Sequence, residues 1–234
     1  MAVKIFILGL PGSGKSEIAR NIDMHVKKKF WPDTDNHWCT KRLNDYPILD
    51  EMSRDEIEGK LFERLEPRGF NVLDIVAFDI ALPKLELRIR DYISSSKKEE
   101  IILVEFARND YWRAFRQFEK TFLQDAYFIY LGAEVDICKQ RIYDRAIEPK
   151  YPDDDYPVSD YIFEKYYHSD DRRALSSILQ DVYDVDVQRV LMLNNNGSLE
   201  TVLGEIKPFI DFIIKRETVL ITEQQKSYLL QVNR

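Results

Sequence analysis

Cysteine is scarce in this chain. Cys39 and Cys138 stand far apart among 234 residues and in no C-x-x-C setting. That usage excludes a disulfide framework and a thiolate metal site, and it suits a reducing compartment. Histidine is equally sparse: His25, His37 and His168 are scattered, and each reads as a surface or partly buried polar residue rather than a metal ligand. Long hydrophobic runs are also missing. "VKIFILGL" and "AYFIYLG" fall well short of the roughly 20 residues needed to span a bilayer. The N-terminus carries neither a basic n-region nor a small-residue cleavage site, so a cytoplasmic protein with no membrane partner is expected. Nor is there an excess of positive charge. A formal net charge of −7 supplies no global field to recruit nucleic acid, and no nucleic-acid partner is expected. No internal repeat or low-complexity linker divides the chain, and nothing in it fixes an oligomeric state.

What is present describes an ordinary globular protein, 44% hydrophobic and 32% charged, long enough to bury a sizeable core in one domain with embellishments. Apolar runs at Val3–Leu8, Glu100–Phe106, Ala126–Leu131 and Arg189–Leu193 predict strands, with weaker ones at Lys29–Trp31 and Phe70–Leu73. Helical spacing covers Lys15–Val26, Ile80–Ile93, Asp110–Leu123, Glu134–Arg145, Tyr161–Leu179 and Ser198–Ile214. Within Asp110–Leu123, the stripe Trp112, Phe115, Phe118, Phe122 reads as core. Strands alternating with helices of this length imply crossover units and a mostly parallel sheet covered on both faces: an α/β protein. The composition changes sharply only at Glu148–Asp160, "EPKYPDDDYPVSD", which reads as a mobile loop between helices. Its acidic run, Asp153–Asp155, reads as solvated loop. The polar stretch Arg216–Arg234 reads as an appended helix.

The most specific feature is "GLPGSGKSE". Gly9, four residues, then Gly14-Lys15-Ser16 is the spacing of a phosphate-cradling loop, and it has the required strand before it and helix after it. Glycines let successive backbone N–H groups turn inward, and the helix start adds the positive end of its dipole. Gly9, Pro11, Gly12, Ser13, Gly14, Lys15 and Ser16 are therefore the expected ATP-binding residues. Lys15 would reach the β- and γ-phosphates, and the Ser16 hydroxyl would hold Mg²⁺. Further on, "FWPDTDNHW" places Asp33 and Asp35 just past the weak strand ending at Trp31. In an open parallel sheet such carboxylates stand near the ligand, where one acid holds Mg²⁺ through water and another accepts the proton of an attacking hydroxyl.

On these residues the sequence resembles a family. "GLPGSGKSEIAR…FWPDTDNHW" is similar to the opening of the shikimate and gluconate kinase group, within the P-loop kinases that include nucleoside monophosphate kinases. "IILVEFARNDYWRAFR" resembles the third strand and following helix of gluconate kinases, with Phe106-Ala107-Arg108 in register with the F-P-R turn of adenylate kinases. "FIYLGAEVDICKQRIYDR" resembles the fourth strand and the helix leading to the lid. "LMLNNNGSLETV" is similar to the last strand and adenine-side turn of dephospho-CoA kinases. The resemblance implies a P-loop kinase-like three-layer sandwich with a five-stranded, mostly parallel sheet in the order 2-3-1-4-5 and an inserted lid. It also implies that Asp33 is the magnesium-side acid and Asp35 the acceptor-side acid and base. The kinase-like domain would occupy residues 1–215, with an acceptor region at about 36–95, a lid at about 146–175 and an appended segment at 216–234. There are departures. Glu105 stands where the D-G-F-P-R motif would have glycine, the triple-glycine turn of shikimate kinases is absent, and the stretch from Leu43 to Leu82, where the acceptor pocket should lie, matches none of these families.

Four other charged residues are candidates. Glu105 ends an apolar strand, as a Walker B acid does, and would hold magnesium-bound water; its alternative is a solvated or Arg108-paired acid. Arg108 would bind the acceptor or the γ-phosphate through its planar fork, or form a surface ion pair. Arg141 and Arg145, spaced i,i+4 before the proline-rich loop, would close over the phosphates as lid arginines. Arg172 and Arg173 follow that loop as weaker candidates. No N-K-x-D guanine motif occurs. The expected function is therefore an ATP-dependent phosphotransferase, with ATP and Mg²⁺ as cofactors and an unidentified small-molecule or nucleotide acceptor. The alternative is a regulatory P-loop NTPase without an acceptor.

Overall fold

The computed structural model describes residues 2–30, 38–65, 69–96, 98–151, 158–167 and 172–232. Strands β1 (Ala2–Leu8), β2 (Cys39–Asn44), β5 (Glu100–Glu105), β6 (Tyr127–Gly132) and β7 (Val190–Asn194) form one parallel sheet in the order β2-β5-β1-β6-β7. Counted within the sheet alone, this is the order 2-3-1-4-5. Strands β3 (Phe62–Arg64) and β4 (Phe70–Val72) pair antiparallel as a separate hairpin.

Alternation along the strands explains the two covered faces. On β1, Val3, Ile5 and Ile7 point to one side and pack with Ile18, Ile22 and Val26 of α1 (Lys15–Phe30) and Ile206, Ile210 and Ile213 of α9 (Leu199–Val232). Phe6 and Leu8 point to the other side, toward Leu82 and Leu85 of α3 (Val76–Ser95) and Phe115 of α4 (Tyr111–Phe115). The remaining helices are α2 (Tyr46–Asp55), α5 (Lys120–Gln124), α6 (Val135–Ile147), α7 (Asp160–Tyr166) and α8 (Arg172–Ser177). Among the described residues, no helix is long and apolar enough to cross a membrane.

Several expectations need correction. Lys29 and Phe30 are not a strand: they close α1, where three lysines, Lys27 to Lys29, complement the negative helix end. The second strand is instead Cys39–Asn44, whose sequence "CTKRLN" holds little apolar surface. It is an edge strand, bonded to β5 alone and only half-buried, so it carries no hydrophobic run. Asp110–Leu123 is two short helices rather than one, and Trp112 is 43% exposed while Phe115, Phe118 and Phe122 are buried. Phe70–Val72 belongs to the hairpin, not to the main sheet. In the Tyr161–Leu179 stretch the chain forms α7, and then α8 running into a π-helical turn at Ile178–Val182. Helix α9 continues unbroken through residues 215 and 216, so the C-terminal stretch extends the last helix of the domain.

Candidate active site

The phosphate loop leaves β1 and enters α1 at the C-terminal edge of the sheet. Its backbone takes left-handed values at Gly9 (φ 138°), Gly12 (φ 78°) and Gly14 (φ 99°). Gly12 is also forced by proximity: a Cβ there would lie 2.2 Å from the carbonyl oxygen of Cys138 on α6. Any side chain would push α6 off the loop, and α6 is the helix that carries Arg141 and Arg145.

Two anchors hold the loop that the sequence did not advertise. The Gly9 N–H donates to the Tyr111 hydroxyl at 2.7 Å. Asn195, just past β7, donates from Nδ2 to the Ser13 carbonyl at 2.7 Å, while its own N–H donates to Gly132. Ser13 is fully buried.

Lys15 curls back onto the loop, donating to the carbonyls of Gly9 (2.9 Å) and Leu10 (2.7 Å). Burial lowers its pKa from 10.5 to about 8, against an upward pull from Glu105, Cys138 and Asp45; the Arg145 charge adds to the lowering. A γ-phosphate beside the ammonium restores opposite charge and raises that pKa again. Nucleotide binding just above pH 8 is therefore expected to take up a proton, and at pH 7, where Lys15 already holds it, much less. Calorimetry in buffers of different ionisation enthalpy measures this uptake, and a Lys15→Met variant should lack it.

Glu105 closes β5 and is 4% exposed, so it is not a solvated acid. Its two oxygens are divided. Oε2 accepts from the Ser16 hydroxyl at 3.2 Å, and Oε1 accepts from Nε of Arg42 on β2 at 2.7 Å. A hydroxyl and a carboxylate meeting beside the phosphate loop are the hard oxygen donors that suit Mg²⁺, so the residues present fit that ion. Arg141 fits an anion. Its Nη1 is buried and has no hydrogen-bond partner among the described residues, a cost that a bound phosphate oxygen would remove.

These groups line one cavity of about 750 Å³. Lys15, Arg141 and Arg145 gather at its loop end, where Tyr151 also stacks under the Arg20 guanidinium at 3.8 Å. Its other end runs under the hairpin and α7, and is walled by Tyr46, Phe70, Phe78, Phe106 and Tyr167. Tyr46 and Phe70 stack with centroids 5.4 Å apart. Hairpin and α7 are tied together: Ser159 donates to Asn71 Oδ1, and Lys165 donates to the Leu73 carbonyl.

Arg108 is neither on the surface nor in the cavity. It is 6% exposed, and its neighbours Phe106 and Ala107 line the cavity instead. Its Nη2 lies 2.6 Å from Asp45 Oδ2 and 3.4 Å from the Phe78 carbonyl, and Nη1 donates to the Ala107 carbonyl at 2.6 Å. Glu105 accordingly pairs with Arg42 rather than Arg108. Asp45, the residue after β2, is the acid at the sheet edge next to the loop, and it lines the cavity. The signal for it was "NDYP", a proline-bearing helix start, but it was invisible without β2 before it. Asp33 and Asp35 lie outside the described residues, as do residues 152–157 of the lid stretch and the side chains of Arg172 and Arg173.

No protein-family model and no curated protein sequence matches the chain. Solved structures do. A gluconokinase from Sinorhizobium meliloti 1021 superposes with a TM-score of 0.51 at 13% identity, covering 93% of this chain and 96% of that one. Chaetomium thermophilum Kti12 in complex with ADP-AlF3 gives 0.52 at 15% identity, covering 91% and 97%. Shikimate kinase from Acinetobacter baumannii, in complex with shikimate, gives 0.37 at 15% identity over 95% of each chain. The chain has the fold of the P-loop kinases.

Proposed function

We propose that the protein is an ATP-dependent phosphotransferase that moves the γ-phosphoryl of Mg-ATP to a hydroxyl of a small-molecule or nucleotide acceptor. The observation that carries this reading is the extent of the cavity, whose lining runs on past the phosphate loop. The cavity continues from Lys15 and Glu105 into an aromatic-walled space roofed by the hairpin and α7. Hydrolysis alone needs no such space.

In this reading Gly9, Pro11, Gly12, Ser13 and Gly14 wrap the phosphates. Lys15, Arg141 and Arg145 neutralise the charge that spreads over the transferring group, which is the main catalytic contribution in phosphoryl transfer. Ser16 and Glu105 hold the magnesium side, with Asp33 as a further acid in reach of that role only if the 31–37 segment brings it there. Mg²⁺, held there by Ser16 and Glu105, would neutralise charge on the phosphates. Asp45 orients the acceptor hydroxyl and takes its proton, the part first expected of Asp35. Arg108 acts by holding Asp45 in place rather than by touching substrate.

The test is ADP release with Mg-ATP across a metabolite panel. Stimulation by one acceptor class, with formation of its phosphate, is the expected result. The competing reading is a regulatory NTPase without a small-molecule acceptor, which the phosphate loop alone would equally serve. Brisk hydrolysis without acceptor, unchanged by any panel member, would establish that reading instead.

A further inference from the structure

Among the described residues, the charged groups that β2, β5 and the turns after them bring to the cavity are matched within the protein. Asp45 is paired with Arg108 at 2.6 Å, with side chains 9% and 7% exposed. Glu105 Oε1 is paired with Arg42, the cation that β2 contributes to the cavity lining. The Arg42 contact and the Ser16 contact use different oxygens of Glu105, Oε1 and Oε2. Arg108 is further committed to two backbone carbonyls, those of Ala107 and Phe78, and its guanidinium lies 4.3 Å over the Phe78 ring. Nη1 of Arg141, which has no hydrogen-bond partner among the described residues, belongs to α6, the helix packed against the phosphate loop. The walls between are aromatic, and their polar groups, Asn44 and the hydroxyls of Tyr46 and Tyr167, are neutral. The Tyr167 hydroxyl is itself spent on the Ala107 carbonyl at 2.9 Å.

From this we infer that the acceptor is an uncharged hydroxyl compound with a flat or apolar body, not a carboxylate, a phosphate ester or an amine. The inference rests on the kinase reading above and narrows its substrate class. A buried anion needs a cation that is not already matched, and taking Arg108 or Arg42 from its partner would leave a carboxylate buried and uncompensated. An ammonium meets the reverse problem, since the acids it would seek are already neutralised. A neutral body meets neither cost. It displaces water from Tyr46, Phe70, Phe78 and Phe106, while its hydroxyl meets Asp45. Apolar walls with a few placed polar groups are what such a ligand needs.

The experiment uses the full chain with Mg-ATP and pairs of compounds that keep an acceptor hydroxyl and differ by one charged group. Nucleosides (adenosine, cytidine, thymidine) are set against their 3′-monophosphates, which keep the 5′-hydroxyl, methyl shikimate against shikimate, and kanamycin is added to represent the cationic alcohols. Phosphorylated product is measured by mass spectrometry, and ADP release by coupled assay. The expected result is product from at least one neutral compound, with kcat/KM falling at least about 100-fold on adding the charged group, the scale seen when a site's polar groups are mismatched. Preferred phosphorylation of a monophosphate, shikimate or kanamycin overturns the inference and leaves the kinase reading standing. No product from any neutral compound also overturns it, and if ATP hydrolysis is then equally fast with and without acceptor, the kinase reading falls with it.

Discussion

Lys15→Ala is expected to cut Mg-ATP turnover by at least about 10²–10³-fold, the cost of removing one preorganised donor to developing charge, while leaving the protein folded. The two halves of this expectation have separate grounds. The Lys15 ammonium bonds to the Gly9 and Leu10 carbonyls, so alanine removes two contacts. Burial, however, holds the ammonium's pKa down at about 8, so the charged form is disfavoured where it sits, and its loss relieves a cost that offsets the lost bonds. The sign is definite. A lysine with a lowered folded-state pKa weakens stability below about pH 8 and stops doing so above its unfolded value, so alanine should not lower stability at pH 7 through this group. A melting temperature within a few degrees of wild type, with turnover lost, is the expected pair of measurements. Near-wild-type ADP release from the variant would remove the loop from the catalytic centre.

The parts of the fold that were legible in the sequence are those where one physical signal dominates. β1, β5 and β6 are buried on both faces, so they read as near-continuous apolar runs, interrupted only by Lys4 in β1 and by Glu100 and Glu105 at the two ends of β5. The phosphate loop was legible because its requirements are local: Gly9 and Gly14 take left-handed φ values that favour glycine, and Lys15 and Ser16 follow directly. What failed to show was held by context. β2 is a polar edge strand whose partner is 61 positions away, Cys39 facing Glu100. Its absence from the reading misplaced the carboxyl end of the second strand, so Asp45, which lines the cavity there, was not among the expected acids. Arg108 illustrates the same limit: its planar fork suits a phosphate, but only the fold reveals that Asp45, Ala107 and Phe78 already occupy it. Asn195 and Tyr111 act on the loop across 182 and 102 positions, distances at which no local pattern points.

The second large effect separates the two acids proposed for the acceptor side. Asp45→Asn is expected to reduce phosphoryl transfer to the acceptor by about 10²–10⁴-fold, the usual contribution of a positioned general base, and to leave the nucleotide Kd nearly unchanged. Asp35→Asn is expected to change neither appreciably. The argument is geometric. β2 runs parallel to β5, with Cys39 opposite Glu100 and Asn44 opposite Glu105. Glu105 touches Ser16 of the phosphate loop, so the Asn44 end is the nucleotide edge and the Cys39 end is the far edge, about 16 Å away at the usual strand rise. Phe30 closes α1, which starts at the phosphate loop and runs back along the sheet, and Trp38 directly precedes Cys39; both pack on the α1 face of the sheet. Asparagine at position 45 keeps the shape but loses the charge facing Arg108, so folding must be checked in parallel. A double variant, Asp45→Asn with Arg108→Met, removes the stranded cation and should restore the melting temperature without restoring transfer. If transfer returns with stability, Asp45 is only a structural partner of Arg108. If Asp35→Asn instead abolishes acceptor-dependent turnover at unchanged ATP affinity, the base lies in the 31–37 stretch, as the family resemblance first implied.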